Sequence, residues 1–135
     1  MADSAARLHL RRELEAHLTR LGYSCAMKRS ALYVPEIVRV SPVRGRMVYG
    51  ETVLRRDLRS RRCHERLRFF SERRTRRRSS IVFFIGVAQA DEPALEALLE
   101  QLDIRSHSRG GHVYVVPIAA PQRNQRRGTA RAKAG

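Results

Sequence analysis

Two stretches decide the fold: residues 34–40 read Val-Pro-Glu-Ile-Val-Arg-Val, and residues 46–53 read Arg-Met-Val-Tyr-Gly-Glu-Thr-Val. Between them, residues 41–45 read Ser-Pro-Val-Arg-Gly, which is typical of a turn. The pattern predicts a β-hairpin with Glu36 near the start of its first strand and Glu51 near the end of its second. Because neighbouring strands lie only about 4.8 Å apart, the two carboxylates can converge on one divalent cation.

The chain is strongly basic, which restricts its partners. Its 135 residues include 28 Lys and Arg against 13 Asp and Glu, so the formal net charge is +15. Every basic residue except Lys28 and Lys133 is arginine, whose planar guanidinium grips phosphate in a bidentate manner. A GC-rich genome would explain arginine over lysine, but not the excess of bases over acids. We therefore expect a nucleic-acid partner.

Length and composition exclude several other classes. The chain has room for one domain, over residues 1–118, and residues 119–135 are predicted to be a disordered basic tail. Cys25 and Cys63 occur in no metal-ligand spacing, so neither a zinc site nor a disulfide framework is indicated. The longest apolar run, residues 81–87, is far too short to span a membrane. We expect a cytoplasmic protein without membrane contact.

Helical and strand periods alternate along the rest of the chain. Leu10, Leu14, Leu18 and Leu21 form one face of a first helix. The predicted elements are a helix over 4–21, an irregular strand region over 23–27 and 32–34, the hairpin, a helix over 55–74, a strand over 81–87, a helix opening at 91–93 and a strand over 112–118. The order α-β-β-β-α-β-α-β predicts an α/β fold with a mixed central β-sheet flanked by helices on both faces.

This order of elements and motifs resembles the PD-(D/E)XK nuclease superfamily over residues 8–118, and its small Holliday-junction resolvases and related uncharacterised bacterial members in particular. Arg12-Glu13-Leu14 is similar to the opening of the family's first helix. Pro35-Glu36-Ile37-Val38 stands where the family has Pro-Asp-Ile/Leu-Val, and Gly50-Glu51-Thr52-Val53 stands where it has an acid, any residue, then lysine. The resemblance implies a restriction-endonuclease-like core.

The resemblance also implies a function for these residues. Glu36 and Glu51 would be catalytic ligands of Mg²⁺ or Mn²⁺, with Glu13 as a further carboxylate from the helix, and water would attack the phosphorus of a DNA phosphodiester. Val53 replaces the family's lysine. Candidate replacements for that lysine are Arg55, Arg56 and Lys28. Small members of this fold are often dimers, so a homodimer is a further implied partner.

A set of arginines completes the predicted nucleic-acid interface. They lie just after the hairpin and in the basic run before the apolar strand: Arg55, Arg56, Arg73, Arg74, Arg76, Arg77 and Arg78. We expect them to contact the phosphate backbone.

Three alternatives remain open. In the simplest, Glu36 and Glu51 are strand-end acids paired with some of the many arginines. A nuclease-fold relic without catalysis would bind DNA or RNA, or assemble with another protein, and Val53 favours it. A ribosome- or RNA-associated protein would share only the charge.

Overall fold

The computed structural model describes residues 2–25, 35–40, 47–72 and 81–121. Helix α1 (Ala2–Arg20) is followed by strands β1 (Ser24–Cys25), β2 (Ile37–Val40) and β3 (Met47–Val53), a 3-10 helix (Arg55–Arg59), helix α2 (Arg61–Glu72), strand β4 (Val82–Ala88), helix α3 (Glu92–Gln101) and strand β5 (Val113–Ile118). Short 3-10 helices at Gln89–Asp91 and His107–Arg109 precede α3 and β5. The predicted α/β fold and its order of elements are confirmed.

The five strands form one mixed sheet in the order β1-β2-β3-β4-β5. Strands β1, β2 and β3 are antiparallel, and β4 and β5 run parallel to β3. The predicted pairing of the two hairpin strands is therefore confirmed, while the predicted turn over residues 41–45 lies outside the described residues. Its register pairs Ile37 with Gly50, so Glu36 and Glu51 are the next residues along each strand. The sequence reading of these two acids as neighbours is correct.

Helix α1 packs on one face of the sheet. Leu10, Leu14 and Leu18 are buried there with Val48 and Phe84. Two glycines in the strands beneath permit the close approach: a Cβ atom at Gly50 or at Gly86 would lie 3.3 Å from an atom of the Leu14 side chain. Because α1 lies this close to β3 and β4, its polar residues can reach the end of β3.

Helices α2 and α3 cover the opposite face. Leu67 and Phe70 of α2 and Leu95, Leu98 and Leu99 of α3 pack against the side chains of β4 that point away from α1. Strand β4 is consequently apolar on both of its faces, as its uninterrupted hydrophobic run predicts.

The structure differs from the sequence prediction at the end of α1 and within the segment 55–74, and residues 26–27 and 32–34 of the predicted first strand region lie outside the described residues. Leu21 was expected on the buried face of the first helix, but it is 51% exposed. Its N–H still donates to the His17 carbonyl at 3.1 Å, and the helix stops just after it at Gly22, whose φ is +90°, so Leu21 lies in the last, solvent-exposed turn. The single helix predicted over 55–74 is a 3-10 helix and α2 joined at Ser60, whose backbone is extended.

The described part of the chain ends at Pro121, so the predicted tail lies outside it except for residues 119–121, which follow β5 without regular structure. Within the described ranges, no helix is both long and apolar enough to cross a membrane.

Candidate functional site

The end of β3 lies at one wall of a cleft of about 310 Å³. Charged residues of five segments line it, three acidic and three basic. They are Glu36 before β2, Glu51 in β3, Asp57 in the 3-10 helix, Arg7 in α1, and Arg62 and Arg66 in α2. The cleft therefore brings together the two acids that the hairpin predicted, together with partners that the sequence reading did not single out.

Successive residues of β3 point to opposite faces of the sheet, which divides the site in two. Val53 belongs to the core on the α2 side, and Glu51 points to that side as well, where it meets Arg66. Thr52 points to the α1 side, where it meets Arg7. The end of β3 thus presents one half-site to each helix layer.

On the α2 side, Glu51 is almost fully buried, with 4% of its surface exposed. Its Oε1 accepts hydrogen bonds from Arg66 Nε at 2.9 Å and Arg66 Nη2 at 2.7 Å. Its Oε2 accepts the backbone N–H of Glu36 at 2.6 Å. Arg66 also lies over the ring of Phe70, 5.2 Å from its centroid. Both oxygens of Glu51 are therefore engaged by groups of the protein itself.

Burial raises the pKa of Glu51 from 4.5 to about 7. Repulsion from the Glu36 carboxylate acts in the same direction, while Arg66 and the backbone N–H of Glu36 oppose it. Desolvation of the carboxylate outweighs the charge of its arginine partner. Glu51 therefore exchanges its proton near neutral pH.

On the α1 side, the Glu36 carboxylate is held by Thr52. The Thr52 backbone N–H donates to Glu36 Oε1 at 2.9 Å, and the Thr52 hydroxyl lies 2.9 and 2.8 Å from the two carboxylate oxygens. A single hydroxyl proton is thus shared between both oxygens of Glu36. The contact ties the start of β2 to the end of β3.

Arg7 and Asp57 complete the α1 side. Arg7 Nη2 donates to Asp57 Oδ2 at 2.7 Å, and Arg7 Nη1 donates to the Thr52 carbonyl at 3.1 Å and to its hydroxyl at 3.2 Å. Asp57 Oδ2 also accepts the backbone N–H of Leu54 at 2.8 Å. Asp57 therefore fixes the first turn of the 3-10 helix and Arg7 together.

The predicted helix carboxylate, Glu13, does not lie at the site: it is exposed on α1 and does not line the cleft. The α1 residue that lines the cleft is a cation, Arg7. It lies three residues before Leu10 and seven before Leu14, on the buried stripe of the helix. That spacing could have indicated Arg7 from the sequence.

The position of the missing lysine is part of the core, because Val53 is 1% exposed and packs in the hydrophobic cluster on the α2 side. Arg55 and Arg56, proposed as replacements, are exposed on the 3-10 helix and do not line the cleft. Arg66 supplies the cation next to Glu51 instead. It lies four residues before the buried Phe70, a spacing that places both on one side of α2.

Several predicted site residues lie outside the described residues: Lys28, Arg73, Arg74, Arg76, Arg77 and Arg78.

The sequence analysis did not identify Asp57 as a site residue. It is the only acid between Glu51 and Glu65 in an arginine-rich segment, and that isolation was the available signal. Cys63 lines the cleft as well, but burial raises the pKa of its thiol to about 12, so it is not a nucleophile.

Carboxylate oxygens are suitable ligands for Mg²⁺ or Mn²⁺. Those of Glu36, Glu51 and Asp57 nevertheless already accept hydrogen bonds from Thr52, Arg66 and Arg7. Among residues 2–25, 35–40, 47–72 and 81–121, no three or more His, Cys, Asp or Glu side chains are grouped so that they could hold a metal ion. The donors therefore have the right chemistry, but a divalent ion would have to displace arginine contacts to bind.

Comparison with protein-family models, with curated proteins and with solved structures finds no match to this chain.

Proposed function

We propose that this protein binds nucleic acid, DNA in particular, through phosphate contacts made beside the cleft by a domain with a restriction-endonuclease-like core. The observation that carries the proposal is a concentration of exposed arginines between β3 and the first turn of α2. We call this set the arginine surface; it consists of Arg55, Arg56, Arg59, Arg61 and Arg62. In a chain of net charge +15, such a surface favours a polyanionic partner.

The position of these arginines strengthens the argument. The first turn of α2 contains no acidic residue, and Arg61 and Arg62 occupy its first two positions. The N-terminus of a helix carries a partial positive charge, and a cation there is unfavourable by about 0.3–1 kcal/mol. Among the described residues, Arg61 forms a surface ion pair with Glu65 at 3.4 Å, which contributes little stability. An anionic partner would offset this repulsion.

A charge-matched comparison tests the proposal. We expect the triple variant Arg55→Ala/Arg59→Ala/Arg62→Ala to bind a 25-base-pair duplex about tenfold more weakly than the wild type at moderate salt. The slope of log affinity against log salt concentration should become shallower by about 2–3, because each phosphate contact contributes about 0.9 to it. Fluorescence anisotropy in the presence of a chelator measures both quantities.

The control removes the same charge from the other face of the sheet, in the variant Arg11→Ala/Arg12→Ala/Arg20→Ala, whose three arginines are exposed on α1. We expect it to change the affinity by less than about threefold, through long-range charge alone. Equal losses in the two triple variants, or wild-type binding that ignores salt, would contradict the proposed interface.

A second candidate function is metal-dependent hydrolysis of DNA with Mg²⁺ or Mn²⁺. It is favoured by the fact that Glu36 and Glu51 line one cleft, and by the order of helices and strands along the chain, which resembles that of the nuclease superfamily. Glu36 and Glu51 would be the ligands. The arginine contacts made by these acids place this candidate second, behind a binding domain without catalysis.

Nicking of supercoiled plasmid in Mn²⁺ tests the second candidate. If hydrolysis uses the cleft, Glu51→Gln abolishes nicking, whereas Glu13→Gln, at an exposed site outside the cleft, retains it. Wild-type protein that never nicks the plasmid, or nicking that survives in Glu51→Gln, rules the candidate out.

A further inference from the structure

We propose that Arg7 is a built-in cation that fills an oxygen-lined position which a hard divalent ion would otherwise take. Removing its guanidinium should expose a latent site for Mn²⁺ or Mg²⁺ at the α1 side of the cleft. The inference concerns the chain's own residues, and it holds whether or not the protein binds nucleic acid.

Among the described residues, the hydrogen-bond and ion-pair partners of the Arg7 guanidinium are oxygens. Asp57 Oδ2 lies 2.7 Å from Nη2, and the carbonyl and hydroxyl oxygens of Thr52 lie 3.1 and 3.2 Å from Nη1. Glu36 Oε1 lies 3.8 Å from Nη1. Two carboxylates, one carbonyl and one hydroxyl form the kind of donor set that hard cations bind.

The charges explain why a cation is required at this position. Glu36 and Asp57 would otherwise face the same cleft with only partial exposure, because their side chains are 19% and 17% exposed. Glu51 adds a third carboxyl group from the adjacent position in β3. Arg7 reaches two of these acids from a single helix position, so it neutralises the group without an external ion.

The course of α1 fixes the guanidinium in place. Leu10 and Leu14, one and two turns after Arg7, are buried against the sheet. Arg7 therefore projects along the buried stripe toward the end of β3 rather than into solvent. Arg11, one turn later, is exposed and pairs with Glu15 on its own helix. The two arginines differ in position but not in chemistry, which makes Arg11 a matched control.

The test is Mn²⁺ binding to purified, chelator-treated protein, measured by electron paramagnetic resonance of the free ion. Arg7→Ala removes the side chain, and Arg7→Gln removes the charge but keeps a polar group. We expect both variants to bind one Mn²⁺ at least about tenfold more tightly than the wild type. Arg11→Ala should behave as the wild type does, and adding Asp57→Asn to Arg7→Gln should abolish the gain.

Three results would overturn the inference: folded Arg7 variants without a gain in Mn²⁺ affinity, an equal gain in Arg11→Ala, or a gain that is insensitive to Asp57→Asn. If both Arg7 variants are unfolded in chelator, Mn²⁺ is added and refolding is followed by circular dichroism. Recovery of the folded spectrum supports the inference, and failure to recover it contradicts the inference.

Discussion

Arginine side chains neutralise carboxylates on both sides of the end of β3, but the two sides differ in burial and in the number of contacts. On the α2 side, one carboxylate and one arginine are buried together: the Glu51 side chain is 5% exposed and that of Arg66 is 20% exposed. On the α1 side, Arg7 is 35% exposed and shares its guanidinium among Asp57, Thr52 and Glu36. The comparison indicates that the first side depends on charge neutralisation within one buried pair, and the second on several contacts of one partly exposed guanidinium.

The largest effect is expected on the buried side. Arg66→Met keeps a long side chain over Phe70 but removes the cation from Glu51. We expect a loss of about 2 kcal/mol in the free energy of unfolding at neutral pH, below the full cost of an unpaired buried charge because Glu51 can take up a proton. Urea unfolding measures it.

Arg68→Met is the matched control, since Arg68 is exposed on the same helix, and we expect a change within about 0.5 kcal/mol. The double variant Arg66→Met/Glu51→Gln should recover most of the loss. If the double variant is as unstable as Arg66→Met, the cost comes from packing rather than from charge.

A change of pH is expected to act on the same buried side. Because the pKa of Glu51 is raised to about 7 in the folded protein, the folded state keeps a proton that the unfolded state releases above about 4.5. Protonation of Glu51 therefore stabilises the folded state, and this contribution to the free energy of unfolding is fully present below about pH 4.5 and is lost as the pH rises through 7. Glu51→Gln cannot titrate, so the wild type should lose stability relative to this variant over that range.

Thermal unfolding at several pH values between 4.5 and 8 measures this difference. Glu13→Gln, which removes one carboxylate from an exposed site, should show no such trend. Parallel curves for the wild type and Glu51→Gln would mean that Arg66 keeps the carboxylate ionised throughout.

The smallest of the three effects is expected on the partly exposed side. Asp57→Ala removes the partner of Arg7 and the acceptor for the Leu54 N–H, and we expect it to cost about 1 kcal/mol. Asp91→Ala is its control, because Asp91 precedes α3 without a side-chain capping bond, and its change should stay below about 0.5 kcal/mol. Denaturant unfolding in which both variants lose the same stability would contradict the role given to Asp57.

The α/β class, the order of elements and the neighbouring acids could be predicted from the sequence because they follow from short-range patterns. Alternation in residues 46–53 sets the strand, and a hairpin register sets Glu36 beside Glu51. The partners of the acids depend on tertiary packing. Arg7 and Arg66 reach the site because Leu14 and Phe70 pack their helices closely against the sheet. A prediction that places every charged residue on the surface misses both arginines. Glu13 was predicted at the site but lies outside the cleft, because helix position alone does not reveal which charged face meets the sheet.

The central claim is that arginines, rather than a metal ion, neutralise the acids at the end of β3. A crystal structure of the wild type soaked in Mn²⁺, with anomalous data, tests it most directly. The account predicts no Mn²⁺ between Glu36 and Glu51, with Arg66 still on Glu51 and Arg7 still on Asp57. An anomalous peak coordinated by both glutamates, with Arg66 turned away, would contradict it.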